Sequence, residues 1–185
     1  MSPPVVRVFL SLGSNVGDRC RYLRDALAAV DGLAGTRVRA VSQGYETEPW
    51  GVSDQPVFMN VAAEIETALK PLELLNAVKA IERQLGREPG RKWGPREIDI
   101  DVVLWEGVES GGPGLALPHP EFRRRAFVLE PLREIAGEVV DPVTGATVAE
   151  LASRPEVEGR VLGVVSLESC WVRFAQDRSP AKPDS

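Results

Sequence analysis

An α+β fold built on one antiparallel sheet is what the sequence predicts, and three observations carry that reading. Four stretches have strand character, either rich in β-branched and apolar residues or alternating apolar with polar at period two. Two others, beginning at Arg19 and Pro71, repeat apolar residues at helical spacing. Their order is strand, helix, strand, strand, helix, strand, the ferredoxin-like βαββαβ arrangement, in which both helices pack on one face of the sheet. The helix-free face is then the one offered to ligands.

Val5 to Leu10 forms the first strand, in which Arg7 must reach solvent or a partner. Ser11 to Asp18 reads as a turn rich in glycine and capping residues. Asp18 caps a helix from Arg19 to Val30, whose buried stripe is Leu23, Ala26, Leu27 and Val30. The turn has neither the Lys-Ser/Thr of a Walker A loop nor G-x-G-x-x-G spacing, so it reads as a plain strand-to-helix connection. Thr36 to Tyr45 is the second strand. The stretch from Glu46 to Pro56 has no periodicity, and loops of this length in compact domains are often binding loops. Trp50 within it is either an aromatic awaiting a ligand or a side chain tucked onto the core.

Val57 to Glu66 is the third strand. Met59, Val61, Ala63 and Ile65 point to the core, while Phe58 and Asn60 share the other face. An aromatic beside an amide can stack on and hydrogen-bond a flat heterocycle, although such neighbours are also ordinary in half-buried sheets. Pro71 opens the second helix, Leu74, Leu75, Val78, Ile81 and Leu85 form its stripe, and Gly86 ends it. Glu82 lies near the C-terminal end of this helix, where a carboxylate opposes the macrodipole and calls for a cationic partner.

The fourth strand follows the Gly94-Pro95 breaker. Ile98, Ile100, Val102 and Leu104 alternate with Glu97, Asp99, Asp101 and Val103, so Asp99 and Asp101 share the non-core face. Aspartate is depleted in strands and like charges this close repel, so the pair is costly unless a cation sits between the side chains. Neither a thiolate nor an imidazole lies beside it in sequence, which favours a hard cation with oxygen ligands, Mg²⁺ held by carboxylates and substrate phosphates. Arg87, Arg91, Lys92 and Arg96 precede the strand, and His119, Arg123, Arg124 and Arg125 follow it; a nucleotide triphosphate with metal satisfies both sets of charges. The plain alternative is a solvated strand face beside a basic surface loop.

Beyond Trp105 a glycine-rich turn runs from Gly107 to Gly114, and the single histidine, His119, precedes three consecutive arginines. Ala126 to Ala136 is helical in pattern, with Pro131 expected to break or restart it. Asp141 to Gly145 is a turn, Val148 to Ser153 a short helix and Val161 to Val165 a further strand.

The 185 residues suit one domain, taken as 1–175 with a flexible tail over 176–185. At 43% hydrophobic and 26% charged residues the composition is that of a soluble globular protein. Neither a membrane-spanning run nor a secretory signal is apparent, so a cytoplasmic location with Cys20 and Cys170 reduced is expected. The net charge of -5 weighs against nucleic-acid binding.

Five ordered motifs carry a resemblance: Leu12-Gly-Ser-Asn15 with Gly17-Asp18; Tyr45-x-Thr47-x-Pro49-x-Gly51; Gln55-Pro56 followed by Phe58-x-Asn60; Arg91-Lys-Trp93-Gly-Pro-Arg96-x-Ile-Asp99-Ile-Asp101; and Pro118-His119-Pro120 through Arg125-Ala-Phe127. From about Val8 to about Glu138 the chain resembles the 6-hydroxymethyl-7,8-dihydropterin pyrophosphokinases of folate biosynthesis. The resemblance implies transfer of the β,γ-pyrophosphoryl unit of ATP to the pterin hydroxymethyl oxygen, releasing AMP. It further implies two Mg²⁺ ions on Asp99 and Asp101, with Arg87 and Arg96 as further catalytic residues. ATP would be contacted by Glu82, Arg87, Arg96, His119 and Arg125, and the pterin by Thr47, Glu48, Trp50, Phe58, Asn60, Trp93 and Phe127. Pro89 stands where family members often carry a second arginine, with Arg91 as a compensating candidate, and Phe58 replaces the tyrosine of some members. The implied protein is a monomer acting on small molecules, with no nucleic-acid or membrane partner. Two other readings use the same residues, a two-metal phosphodiesterase or nuclease and a non-enzymatic module binding RNA on the open face.

Overall fold

The computed structural model describes residues 4–51, 54–87, 94–112 and 114–168. The six predicted elements appear as seven: β1 (Val6–Ser14), α1 (Arg19–Asp31), β2 (Thr36–Val41), β3 (Gly44–Thr47), β4 (Phe58–Thr67), α2 (Pro71–Gln84) and β5 (Asp99–Trp105). After these come β6 (Ser110–Gly112), β7 (Leu115–Leu117), a 3-10 turn (Phe122–Arg124), α3 (Ala126–Ala136), α4 (Val148–Ala152) and β8 (Val161–Val165). The main sheet runs β5-β1-β4-β3-β8, with β2 also beside β4, and every pairing is antiparallel.

The predicted second strand is two. β2 lies opposite Ala63–Thr67 and β3 opposite Phe58–Asn60, in tandem along one edge of β4. Between them Ser42 donates its N–H to the Ala62 carbonyl and accepts the Ala62 N–H on Oγ, so the chain jogs without leaving β4. β1 runs on to Ser14, four residues past its predicted end, because Ser11–Gly13 of the stretch read as a turn is paired on both sides, with β4 and with β5, and Ser14 with β4. Arg7 finds its partner in Glu64 across the sheet, 2.9 Å away.

Val8, Leu10 and Leu12 of β1, Val61, Ala63 and Ile65 of β4, and Ile100 and Val102 of β5 face α1 and α2. There they bury Leu23, Ala26, Leu27 and Val30 from α1 and Leu74, Val78 and Ile81 from α2, each large aliphatic contributing about 1.5–3 kcal/mol. Asp18 caps α1 as expected, its side chain accepting the Arg21 N–H at 3.0 Å.

α1 and α2 share one face as expected, but the second face, expected to be helix-free, is not. Phe9, Ala62, Val103 and Leu104 bury there against Val128, Leu129, Leu132 and Ala136 of α3 and Val148 and Leu151 of α4. Leu104, assigned by strict alternation to the first core, belongs to this second one. A register shift between Phe9 and Leu10 leaves Val103 unpaired as a bulge, so Val103 and Leu104 both turn toward α3. α3 passes through Pro131 without interruption. The ring is buried among the apolar residues of that helix, which offsets the hydrogen bond it cannot donate. β6 and β7 form a small hairpin inside the predicted Gly107–Gly114 turn region and just after it. Cys20, expected as a thiol, is disulfide-bonded. The proposed tail, 176–185, lies outside the described residues. Among the described residues no helix is long and apolar enough to cross a membrane.

Asp141 locks the region after α3. Its side chain is fully buried and accepts Arg123 Nε at 2.6 Å and Nη2 at 2.7 Å, and Thr144 Oγ1 at 2.6 Å. Burial pushes its carboxyl up, but the Arg123 and Thr144 hydrogen bonds outweigh it and hold it below the ordinary carboxylate value. Asp141→Ala should therefore cost about 3 kcal/mol in urea unfolding at neutral pH, the order found when one partner of a buried pair is removed. Because the folded pKa is depressed, this contribution is complete above the unfolded value of about 3.9 and is lost as pH falls through the lower folded value. The stability gap between wild type and variant should close only in that acid range; a gap that stays constant through it would exclude the ion pair as the cause.

Candidate active site

The uncovered half of the second sheet face forms the floor of a cavity of about 210 Å³. Strand register builds it. Gly13 on β1 lies between Asp99 on β5 and Asn60 on β4, and Ser11 lies beside Asp101. The two aspartates therefore share one face, as the alternation predicted. A Cβ on Gly13 would come within 2.6 Å of Asn60 Oδ1, so only glycine leaves room for that amide. The Asn60 Nδ2 donates to Thr47 Oγ1 at 2.6 Å, which orients the amide and leaves Oδ1 over Gly13.

Cations surround the acidic pair. Arg87 Nη1 is 2.6 Å from Asp99 Oδ1 and 2.5 Å from Glu82 Oε2, and Arg96 Nη1 pairs with Asp99 Oδ2. Lys79 Nζ lies 3.6 Å from Asp101 Oδ1 and 3.9 Å from Asp99 Oδ1. Burial pushes the Asp99 carboxyl up, but Arg96, Arg87 and Lys79 together hold it below its ordinary value. Glu82 behaves oppositely. It is buried, and desolvation raises its carboxyl against the pull of Lys79.

Glu82 is beneath the cavity and does not line it. Its Oε1 accepts the Ile100 N–H at 2.6 Å and Lys79 Nζ at 2.8 Å, so the cationic partner expected for it is double, Lys79 and Arg87. Asn15 ties the walls together. Its Nδ2 donates to Gln55 Oε1 and the Pro56 carbonyl, while its Oδ1 and N–H bond the backbone of Arg96.

On the side formed by the N-terminal end of α3, the Arg125 guanidinium lies 4.8 Å from the Trp50 ring centroid and 5.7 Å from that of Phe127. Trp50 is thus neither wholly solvent-facing nor a core residue; it covers a cation at the cavity wall. Thr47, Glu48, Phe58 and Asn60 complete the predicted pterin side of the lining. His119 is not among the lining residues. Burial lowers its pKa against the pull of Asp101, and its Nδ1 accepts the Glu121 N–H at 3.2 Å. Trp93, with Pro89 and Arg91, lies outside the described residues.

Sequence reasoning missed Ser11, Gly13, Gln55 and Lys79, all of which line the cavity. Ser11 and Gly13 continue the alternation of Leu10 and Leu12, a period-two signal obscured by the turn-like composition. Lys79 precedes Glu82 by three residues, a helical spacing that places their side chains together.

Among the described residues no group of three or more His, Cys, Asp or Glu converges as a metal site. Among the described residues Asp99 and Asp101 line the cavity as a pair of carboxylates, a donor set that suits Mg²⁺ when phosphates and water supply the remaining ligands. The residues fit an oxygen-ligated divalent ion carried with a phosphorylated substrate.

Comparison with known proteins agrees with this geometry. Residues 9–137 match the family model described as 7,8-dihydro-6-hydroxymethylpterin-pyrophosphokinase. A 2-amino-4-hydroxy-6-hydroxymethyldihydropteridine pyrophosphokinase of Methylorubrum extorquens is 44% identical over 155 residues, covering 84% of this chain and 97% of its own length. Its namesake in Bacillus subtilis is 44% identical over 138 residues, covering 75% and 83%. Among solved structures, Plasmodium falciparum HPPK-DHPS with pteroate superposes with a TM-score of 0.67 at 14% identity, over 82% of this chain and 42% of that longer one, a likeness of fold. With its family model covering well over half of its length and relatives this similar over most of theirs, the chain belongs to the 7,8-dihydro-6-hydroxymethylpterin-pyrophosphokinase family.

Proposed function

We propose that this protein transfers the pyrophosphoryl unit of ATP to the hydroxymethyl oxygen of 6-hydroxymethyl-7,8-dihydropterin, giving AMP and the pterin diphosphate ester. The observation that carries this is the Asp99–Asp101 pair on one cavity face, opposed by the guanidinium groups of Arg87 and Arg96. We further propose a ferredoxin-like core with C-terminal additions, a reading the antiparallel strand order supports, in a monomeric, cytoplasmic single domain over 1–175.

Asp99 and Asp101 would hold divalent cations, Mg²⁺ and two in number by family resemblance. Bound there, the ions supply the charge neutralisation and alignment that phosphoryl transfer needs more than covalent help. Arg87 and Arg96 now compensate Asp99 and have the planar fork suited to phosphate oxygens, so they are the groups to exchange carboxylate for triphosphate. Arg125, held against Trp50 and Phe127, adds a third cation with little freedom to lose. With Nδ1 of His119 accepting the Glu121 N–H, the neutral ring carries its proton on Nε2, as a phosphate donor requires.

The pterin lies on the Phe58 side. Asn60, fixed by Thr47, presents Oδ1 as the acceptor that selects a ring N–H, and the aromatic rings of Phe58 and Phe127 supply stacking surface. Trp50 and Glu48 line the same subsite, and the family resemblance alone assigns Trp93 a pterin contact.

Incubation with ATP, Mg²⁺ and 6-hydroxymethyl-7,8-dihydropterin should release AMP in step with pterin diphosphate, followed by chromatography; ADP in place of AMP would reject the assignment. Asp99→Ala and Asp101→Ala should each lower turnover by roughly a hundredfold or more with the circular dichroism spectrum unchanged. Near-normal rates in both would remove the metal role. Gly13→Ala, by displacing the Asn60 amide, should raise the KM for pterin about tenfold, one hydrogen bond's worth, while leaving the KM for ATP within about twofold. Equal rises in both would place Gly13 in general support of the fold.

A further inference from the structure

Lys79 is placed where backbone and charge demands meet. β5 is an edge strand, and the N–H and carbonyl of Ile100 both turn away from β1 toward α2. Glu82 takes the N–H at 2.6 Å and Lys79 takes the carbonyl at 2.8 Å, while a 2.8 Å ion pair joins the two side chains. Ile100 is the residue between Asp99 and Asp101, so holding its peptide at both ends fixes the direction in which each carboxylate leaves the strand. The same ammonium stands 3.6 Å from Asp101 and 3.9 Å from Asp99.

We propose that Lys79 is a positioning residue and a built-in counter-cation for the Asp99–Asp101 pair, weakening the site toward free divalent ions so that it loads when metal and nucleotide phosphates arrive together. The charge count supports this. Lys79, Arg87 and Arg96 balance Glu82, Asp99 and Asp101 in one contiguous cluster. A divalent ion entering alone leaves that cluster with surplus positive charge at short range. A triphosphate whose charge the accompanying ions neutralise leaves it balanced, and gives the displaced arginines new partners. The inference rests on the metal and ATP reading above and adds to it the group that couples the two.

The test reads metal binding without turnover. Free Mn²⁺ is titrated by electron paramagnetic resonance into wild type, Lys79→Met, Lys79→Gln and Lys79→Arg, with and without α,β-methylene-ATP and in the absence of pterin. Without nucleotide, Lys79→Met should bind Mn²⁺ about tenfold more tightly than wild type, the low end of what one unit charge at this range exerts on a neighbouring carboxylate. Lys79→Gln, which keeps a donor for the Ile100 carbonyl, should tighten similarly and separates charge from the backbone contact. Lys79→Arg should stay as weak as wild type. With the analogue present, wild type should bind tightly. If either uncharged variant is folded and its Mn²⁺ affinity without nucleotide equals or falls below that of wild type, the counter-cation role is overturned while the metal site stands. If wild type binds no Mn²⁺ even with the analogue, the metal reading itself fails and this inference with it.

Discussion

Two carboxylates on alternate residues of an edge strand repel one another, and their compensation is the constraint the rest of the molecule answers to. The compensating cations come from separate places. Lys79 is on α2, Arg87 lies just past its end, and Arg96 sits in the segment leading into β5. Glu82 joins them. It is buried, which alone would be costly, yet Lys79, Arg87 and the Ile100 N–H supply it with partners on both oxygens. Desolvation offsets much of what half-buried ion pairs gain, so the worth of this cluster is orientation: four charged side chains hold a fifth and sixth in a fixed direction.

The sheet separates stability from chemistry by face and then by half. One face is closed completely by α1 and α2 and carries the larger apolar core. The other is covered by α3 and α4 only where β1, β4 and β5 present Phe9, Ala62, Val103 and Leu104. Where the same strands present Ser11, Gly13, Asn60 and the aspartates, the face stays open. The Val103 bulge marks the border on β5, because it lets one strand serve the site at its start and the second core at its end. α3 then brings Arg125 and Phe127 to the rim of the cavity it leaves uncovered.

Among the described residues of the loop from Glu48 to Val57, attachments of different character tie it to this scaffold. Asn15 holds its far end through Gln55 and Pro56, and bonds Arg96 at the same time. Trp50 holds its near end against Arg125. The loop therefore meets the Arg96 backbone through Asn15 at one end and the Arg125 guanidinium through Trp50 at the other, both beside the cavity.

Much of this was legible along the chain because it depends on periodicity. Helical spacing located α1 and α2, alternation put Asp99, Asp101, Phe58 and Asn60 on faces that the structure repeats, and Asp18 announced its helix. The turn-like composition of Ser11 to Ser14 hid a paired strand, since strand pairing overrides local propensity when neighbours exist on both sides. The burial of Pro131 and the split of β2 from β3 were likewise decided by what packs alongside. The sequence by itself determined which side chains alternate with which, and hence that two acids share a face. Only the tertiary structure decided which half of that face stays open and which cations reach it, because a strand's period is local to its own backbone, whereas cover and charge compensation come from residues distant in sequence and are set by the packing of separate elements.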